Sequence, residues 1–304
     1  MQSDPFNPVV GMAEALAPDL RRVLAPNASP MTYRGTNTYI LGEGAVAVID
    51  PGPASAAHQR AILDALRPGE VISHIFVTHS HIDHSPLART LSEATGAAIH
   101  AYGTSHAGRT SVMTDLAAQG LTGGGEGVDM DFAPHELLAD GEIVTAPSWS
   151  LQALWTPGHM SNHLCFASGD GVFTGDLVMG WASTMVSPPD GDLSAFMAST
   201  QALAERRDRV FYPGHGGEID TPQERARWLI AHRHSREAEI LHHLGTPDAP
   251  LSIPALTRLI YTDAPEGLMG AAARNVFAHL IDLHSRGRVD ATPLLSLTAY
   301  FALR

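Results

Sequence analysis

The chain has 304 residues, 44% of them apolar, which suffices for a sizeable buried core and is too many for a disordered chain. Acidic residues outnumber basic ones by 32 to 19, every basic residue is Arg, and a net charge of −13 argues against a broad electrostatic footprint on nucleic acid. No apolar run reaches the roughly 20 residues of a membrane helix, and MQSDPFNPVVGMAEALAPDL lacks the basic start and hydrophobic core of a secretory leader, so no membrane partner is expected and the location is cytoplasmic unless a leader has been removed.

In chain order, NTYILGEGAVAVIDPG reads as two strands around the turn Gly42–Glu43–Gly44. AAHQRAILDAL has helical spacing and RPGE stops it. The strand VISHIFVT follows, then a His-rich loop, the helix SPLARTLSEATG with Pro86 suited to its first turn, and the strand AAIHAY. From 103 to 136 the pattern dissolves into a Gly- and Asp-rich stretch, expected to be an exposed, partly helical insertion that serves as a flap over a site. Strands resume with EIVTA, LQALWTPG, HLCFAS and GVFTGD; a helix covers roughly Leu193 to Arg207, and RVFYPGHG closes this part. The one cysteine, Cys165 in HLCFAS, excludes an internal disulfide and reads as a small buried hydrophobe. Beyond Gly217 come three amphipathic helices and a terminal hairpin in LLSLTAYFAL, which together suggest a winged helix. The expected domains are 1–217 and 218–304.

The chemistry is concentrated where strands end. IFVTHSHIDHSPLA puts His79, His81, Asp83 and His84 just past a buried strand, rigid at the base and open at the tip. His79 and His81 can converge on one point while Asp83 and His84 swing toward a second. Imidazole and carboxylate together favour zinc, with manganese or iron as alternatives. LWTPGHMSNH, VFTGDLVMG and VFYPGHGGE repeat the grammar, an apolar run and a Gly-containing turn before His159, Asp176 and His215. Around these donors, Asp50 in VIDPG either fixes an imidazole or caps its turn, and His163 is either a polar contact or structural. Trp181 and Met185 are candidates for lining a pocket. His232, His234, His242 and His243 read as solvated or interdomain residues, and Arg233 with Glu237 is spaced for an i,i+4 ion pair.

These residues resemble the metallo-β-lactamase superfamily, with its His-x-His-x-Asp-His signature and a later His, Asp and His. The resemblance implies an αββα four-layer sandwich and two divalent ions. His79, His81 and His159 would hold one ion, Asp83, His84 and His215 the other, and Asp176 would bridge them. Over its whole length, including AHRHSREAEIL in the tail, the chain is further similar to the beta-lactamase-like protein 2 family, whose hydrolase domain carries a C-terminal winged helix. In place of the second-site Cys of common true β-lactamases stand Asp176 and His84, so antibiotic degradation is not expected. Ser85–Pro86 replaces a frequent Gly-Gly pair, which would reshape the pocket floor.

The expected enzyme is a dinuclear hydrolase in which a metal-bridging hydroxide, oriented by Asp83, attacks a carbonyl carbon or phosphorus. The substrate expected from the acidic charge is a small ester, thioester or lactone. The family resemblance offers an alternative, an endoribonuclease gripping single-stranded RNA with Arg274, Arg286 and Arg288; a further one is a non-catalytic winged-helix binding module.

Overall fold

The computed structural model describes residues 6–124, 127–245 and 250–304. Two pieces of the reading above lie outside them, the first five residues and Gly125–Glu126 of the insertion.

Two sheets stack face to face. The first has seven strands in the order β1 (Ala13–Ala17), β2 (Leu20–Leu24), β3 (Asn37–Leu41), β4 (Ala45–Ile49), β5 (Val71–Phe76), β6 (Ala98–Ala101) and β7 (Glu136–Leu137). β1 to β4 form an antiparallel meander, and β4 to β7 run parallel. The second sheet has the order β12 (Val210–Pro213), β11 (Gly171–Gly175), β10 (Leu164–Ser168), β9 (Trp149–Trp155) and β8 (Ile143–Ala146). Only its β11–β12 pair is parallel.

Side-chain alternation sorts the apolar residues into layers. Ile40, Val46, Val48 and Ile75 face the helices α1 (Ala56–Asp64) and α2 (Leu87–Thr95) through Ile62 and Leu91. Tyr39, Leu41, Ala47 and Ile49 point the other way, onto Leu164, Phe166 and Phe173 of the second sheet. The outer face of that sheet, Cys165, Val172 and Phe211, is covered by Phe196 and Leu203 of α4 (Leu193–Glu205) and Leu229 of α5 (Pro222–Leu244). The result is the expected helix–sheet–sheet–helix sandwich. Cys165 is fully buried and in no disulfide, and burial pushes its thiol up to about 12.

A fourth core belongs to the C-terminal part. Ile240 and Leu244, in the last turns of α5, pack with α6 (Ile253–Ile260), α7 (Met269–Ser285) and a three-stranded sheet, β13 (Leu251–Ser252), β15 (Tyr300–Leu303) and β14 (Val289–Thr292). The terminal hairpin therefore pairs 289–292 with 300–303, and the first residues of LLSLTAYFAL form its connection. α5 is shared: Leu229 sits in the core of the sandwich and Ile240 in that of the tail.

The insertion departs from expectation. It is partly helical, with α3 at Ser111–Ala118, but Met113 and Leu116 of that helix are buried in the C-terminal core. Arg109 Nη2 pairs with Asp190 Oδ1 at 2.6 Å, and Asp129 N donates to Ser80 O at 2.8 Å. The segment braces the tail and the His-rich loop from outside, and among the described residues it contributes none to the cavity over the donors. Its apolar helix face found a partner, which composition alone did not reveal. Among the described residues no helix is long and apolar enough to cross a membrane.

Candidate metal centre

β4, β5, β9, β11 and β12 all send their carboxyl ends to one edge of the sandwich, where the two sheets are pinned together. Leu164 N donates to Thr78 O and Asn37 N to Gly214 O, both at 2.8 Å. All seven expected donors converge at this edge. His79, His81 and His159 form one cluster, Asp83, His84, Asp176 and His215 a second, and within each cluster the donor atoms lie within 4.8 Å of one another. The glycines before two of them leave no room for a side chain: a Cβ on Gly214 would stand 2.5 Å from Asp176 Oδ1, and one on Gly175 2.6 Å from His163 Nε2.

The outward hydrogen bonds fix which imidazole nitrogen faces inward. His159 Nδ1 lies 2.8 Å from Met185 O and His215 Nδ1 3.1 Å from Gly35 O. A carbonyl only accepts, so both Nδ1 atoms carry a proton, and each ring in its neutral form presents an Nε2 lone pair to the centre. His84 Nδ1 meets Asp50 Oδ2 at 2.9 Å, with the same consequence. Thr78 Oγ1 donates to Asp50 Oδ2 at 2.8 Å, so it accepts from His79 Nδ1 at 2.9 Å. The inward nitrogens are crowded: His81 Nδ1 lies 2.9 Å from His79 Nε2 and 3.0 Å from His159 Nε2. Three imidazole nitrogens converging at such separations suit a shared cation, and this is the fit of the donor set to a divalent metal.

Charge divides the clusters. Burial drives His79, His81 (to about 3) and His159 down, so the first cluster is three neutral imidazoles. Burial also opposes charge on His84 and His215, but Asp83 and Asp176 outweigh it and hold His215 up at about 10. Both carboxyls are in turn held well below the usual carboxylate range, against burial, by His84 and His215. Asp176 touches both groups, with Oδ2 at 3.3 Å from His215 Nε2 and 3.7 Å from His159 Nε2.

Asp50 resolves in favour of orientation. It is buried in the left-handed region at φ 50°, uncommon for a residue with a side chain. Its carboxylate binds Thr78 N at 2.7 Å as well as Thr78 Oγ1 and His84, so it positions the His-rich loop. His163 stands behind His79, ring centroids 5.2 Å apart, with Nδ1 on Thr156 Oγ1, and is structural. Ser85 turns away from the floor to Asp129 Oδ2 at 2.9 Å.

Above the donors lies a cavity of about 260 Å³. Trp181 and Met185 line it, as expected, together with Met31 and Met179. Its opposite wall, Tyr261, Leu268, Ala271, Ala272 and Asn275, comes from the tail and carries no chemical motif by which the sequence could announce it. Arg233 was expected to pair with Glu237, but it is buried, binding Thr184 O and, at 3.0 Å, Asn275 Oδ1; Glu237 pairs with Arg286 at 2.6 Å. Asn275 Oδ1 also accepts from Val186 N, so α5 and α7 together hold the segment whose Met185 carbonyl orients His159.

The comparisons agree with this architecture. Residues 31–215 match the family model of the metallo-beta-lactamase superfamily, and 252–293 that of the beta-lactamase associated winged helix domain. The chain is 30% identical over 275 residues to a beta-lactamase-like protein 2 homolog of Drosophila melanogaster, covering 88% of each. It is 30% identical over 237 residues to an atrochrysone carboxyl ACP thioesterase of Aspergillus fumigatus, covering 75% of this chain and 65% of that protein. The crystal structure of a metallo-beta-lactamase family protein from Thermus thermophilus superimposes with a TM-score of 0.76 at 25% identity, over 95% of this chain and 100% of that one. Members of the superfamily bind divalent metals. The chain belongs to the metallo-beta-lactamase superfamily of hydrolases, in the form that carries the associated winged helix.

Proposed function

We propose that the protein is a dinuclear metal-dependent hydrolase of a small ester, thioester or lactone, with 1–217 as the hydrolase domain and 218–304 as the winged-helix domain. The observation that carries this reading is the set of four imidazoles whose outward bonds occupy Nδ1 and leave Nε2 aimed inward beside two ionised carboxylates, where a cation would take the place of the protons on His84 and His215. In this reading His79, His81 and His159 would hold one ion and Asp83, His84 and His215 the second, and Asp176 would serve both, which its 3.3 and 3.7 Å contacts to one imidazole of each group support. Zinc suits such nitrogen and oxygen donors, and manganese or iron would fit the same set. Divalent ions held there would supply Lewis acidity, polarising a carbonyl oxygen and lowering the pKa of a water toward neutrality.

The chain's own groups do the rest. Asp83 Oδ2 stands 3.1 Å from His215 Nε2 while the residue forms part of the cavity floor, so its carboxylate is placed to orient a water as a hydrogen-bond acceptor. Asp50 keeps His84 in the tautomer that faces inward. The thioesterase relative supports an acyl substrate. The tail arginines lend little to RNA: Arg274 binds Thr122 O and Pro188 O, Arg286 is paired with Glu237 and Asp282, and of the three only Arg288 remains for phosphate. Metal analysis of the purified chain, with a panel of thioesters, lactones, phosphodiesters and RNA, tests the reading. Two ions per chain and turnover of acyl substrates are expected; turnover of RNA alone would overturn the substrate class.

A further inference from the structure

Resting on the hydrolase reading, we infer that the cavity is an acyl-chain site, taking an uncharged aliphatic acyl group whose length is gauged by one face of helix α7. Leu268, which caps α7, lines it together with Ala271, Ala272 and Asn275 of the helix, three, four and seven residues further on, so they form a single stripe of about 10 Å at the start of the helix. The stripe begins at Leu268, 36% exposed at the mouth, and passes through buried Ala272. Met179 and Met185, both buried, face it from the segment after Asp176. Unbranched thioethers adapt to a flexible chain, and alanines at 271 and 272 leave the space between the walls.

The electrostatics exclude charged acyl groups. Above the donor floor no Arg, Asp, Glu or His occurs among the described lining residues. Three arginines approach the wall from behind, and each is engaged by backbone carbonyls of one segment. Arg225 binds Met179 O at 2.7 Å and Ala182 O at 2.6 Å, Arg233 binds Thr184 O, and Arg274 binds Pro188 O at 3.2 Å. A phosphate or a terminal carboxylate held along the wall, away from the donor floor, would meet no cation among the described lining residues and would be desolvated without a partner. A volume of about 260 Å³ holds about nine groups of water size at roughly 30 Å³ each, and with the thioester itself taking part of it this suits a chain of at most about eight carbons.

The test uses the metal-loaded full chain with straight-chain acyl thioesters of N-acetylcysteamine from acetyl to dodecanoyl, plus the succinyl thioester as a charged probe. kcat/KM should rise about threefold or more per methylene up to roughly eight carbons and then level, and the succinyl thioester should fall at least about tenfold below butyryl. Ala271→Phe should lower octanoyl kcat/KM by at least about tenfold more than it lowers acetyl kcat/KM, with metal content retained. A flat chain-length profile, a preference for succinyl, or an octanoyl rate indifferent to Ala271→Phe in the folded, metal-loaded variant overturns the acyl site. Calorimetric binding of octanamide, an uncharged chain that needs no turnover, separates the two readings. If no thioester is hydrolysed but octanamide binds and Ala271→Phe abolishes it, the hydrolase reading fails and the acyl site stands; if octanamide does not bind the wild-type chain, the acyl site fails.

Discussion

The floor and the wall of the cavity are built by different means. The floor is made of side chains at strand ends, each imidazole tied outward by a hydrogen bond and each carboxylate held by neighbouring rings. The wall is made of ordinary apolar residues, and what fixes it is three guanidinium groups gripping the carbonyls of 179–188 from behind. Chemistry is placed by local geometry, whereas shape is placed by arginines of α5 and α7. The two meet at one bond, His159 Nδ1 to Met185 O, where a candidate ligand is oriented by a residue of the wall.

Floor and wall should respond separately to substitution. Asp176→Ala, which removes the contact shared by both clusters, should cost on the order of 10³-fold in turnover, because several kcal/mol of transition-state stabilisation depend on the ions. Metal content measured beside kcat should fall with it, and full activity with two ions retained would break the account of the floor. Asp50→Asn leaves the fold but weakens the partner of His84, and metal affinity measured by chelator competition should drop about 10–100-fold. Arg233→Met probes the wall. It strips one donor each from Thr184 O and Asn275 Oδ1, so stability in denaturant should fall by about 1–3 kcal/mol, with any weakening of metal confined to the His79–His81–His159 cluster. Equal weakening of both clusters would show that floor and wall are not distinct. Arg286→Ala lies outside both regions and breaks an exposed pair with Glu237 and Asp282. It should cost less than about 1 kcal/mol by the same unfolding measurement and leave turnover alone.

The same division explains what was legible in the sequence. His79, His81, Asp83 and His84 could be read because four donors in six residues after a buried strand have few structural uses, and Gly-His and Gly-Asp turns flagged the other three. The paired sheets were legible from alternation in NTYIL and AVAVI, but the meander's first strands, β1 and β2, were not. β2 carries Arg21 and Arg22, both buried through ion pairs to Glu70, Glu14 and Glu218 that only tertiary contacts reveal. Arg233 misled for a related reason: a charged residue on a long amphipathic helix looks solvated until carbonyls from a distant segment turn up against it. Ala271 and Leu268 gave no signal, since an apolar helix face looks alike whether it meets a core or a ligand. The insertion's α3 was recognised as partly helical, but the destination of Met113 and Leu116 depended on a partner surface supplied by the tail.

The most direct test is calorimetric titration of the metal-free full chain with zinc. Two equivalents bound per chain, falling to one in Asp83→Ala, is the result expected if two preset donor clusters face one floor. A wild-type chain that takes up no zinc, manganese or iron, or that holds a single ion untouched by Asp83→Ala, would contradict it.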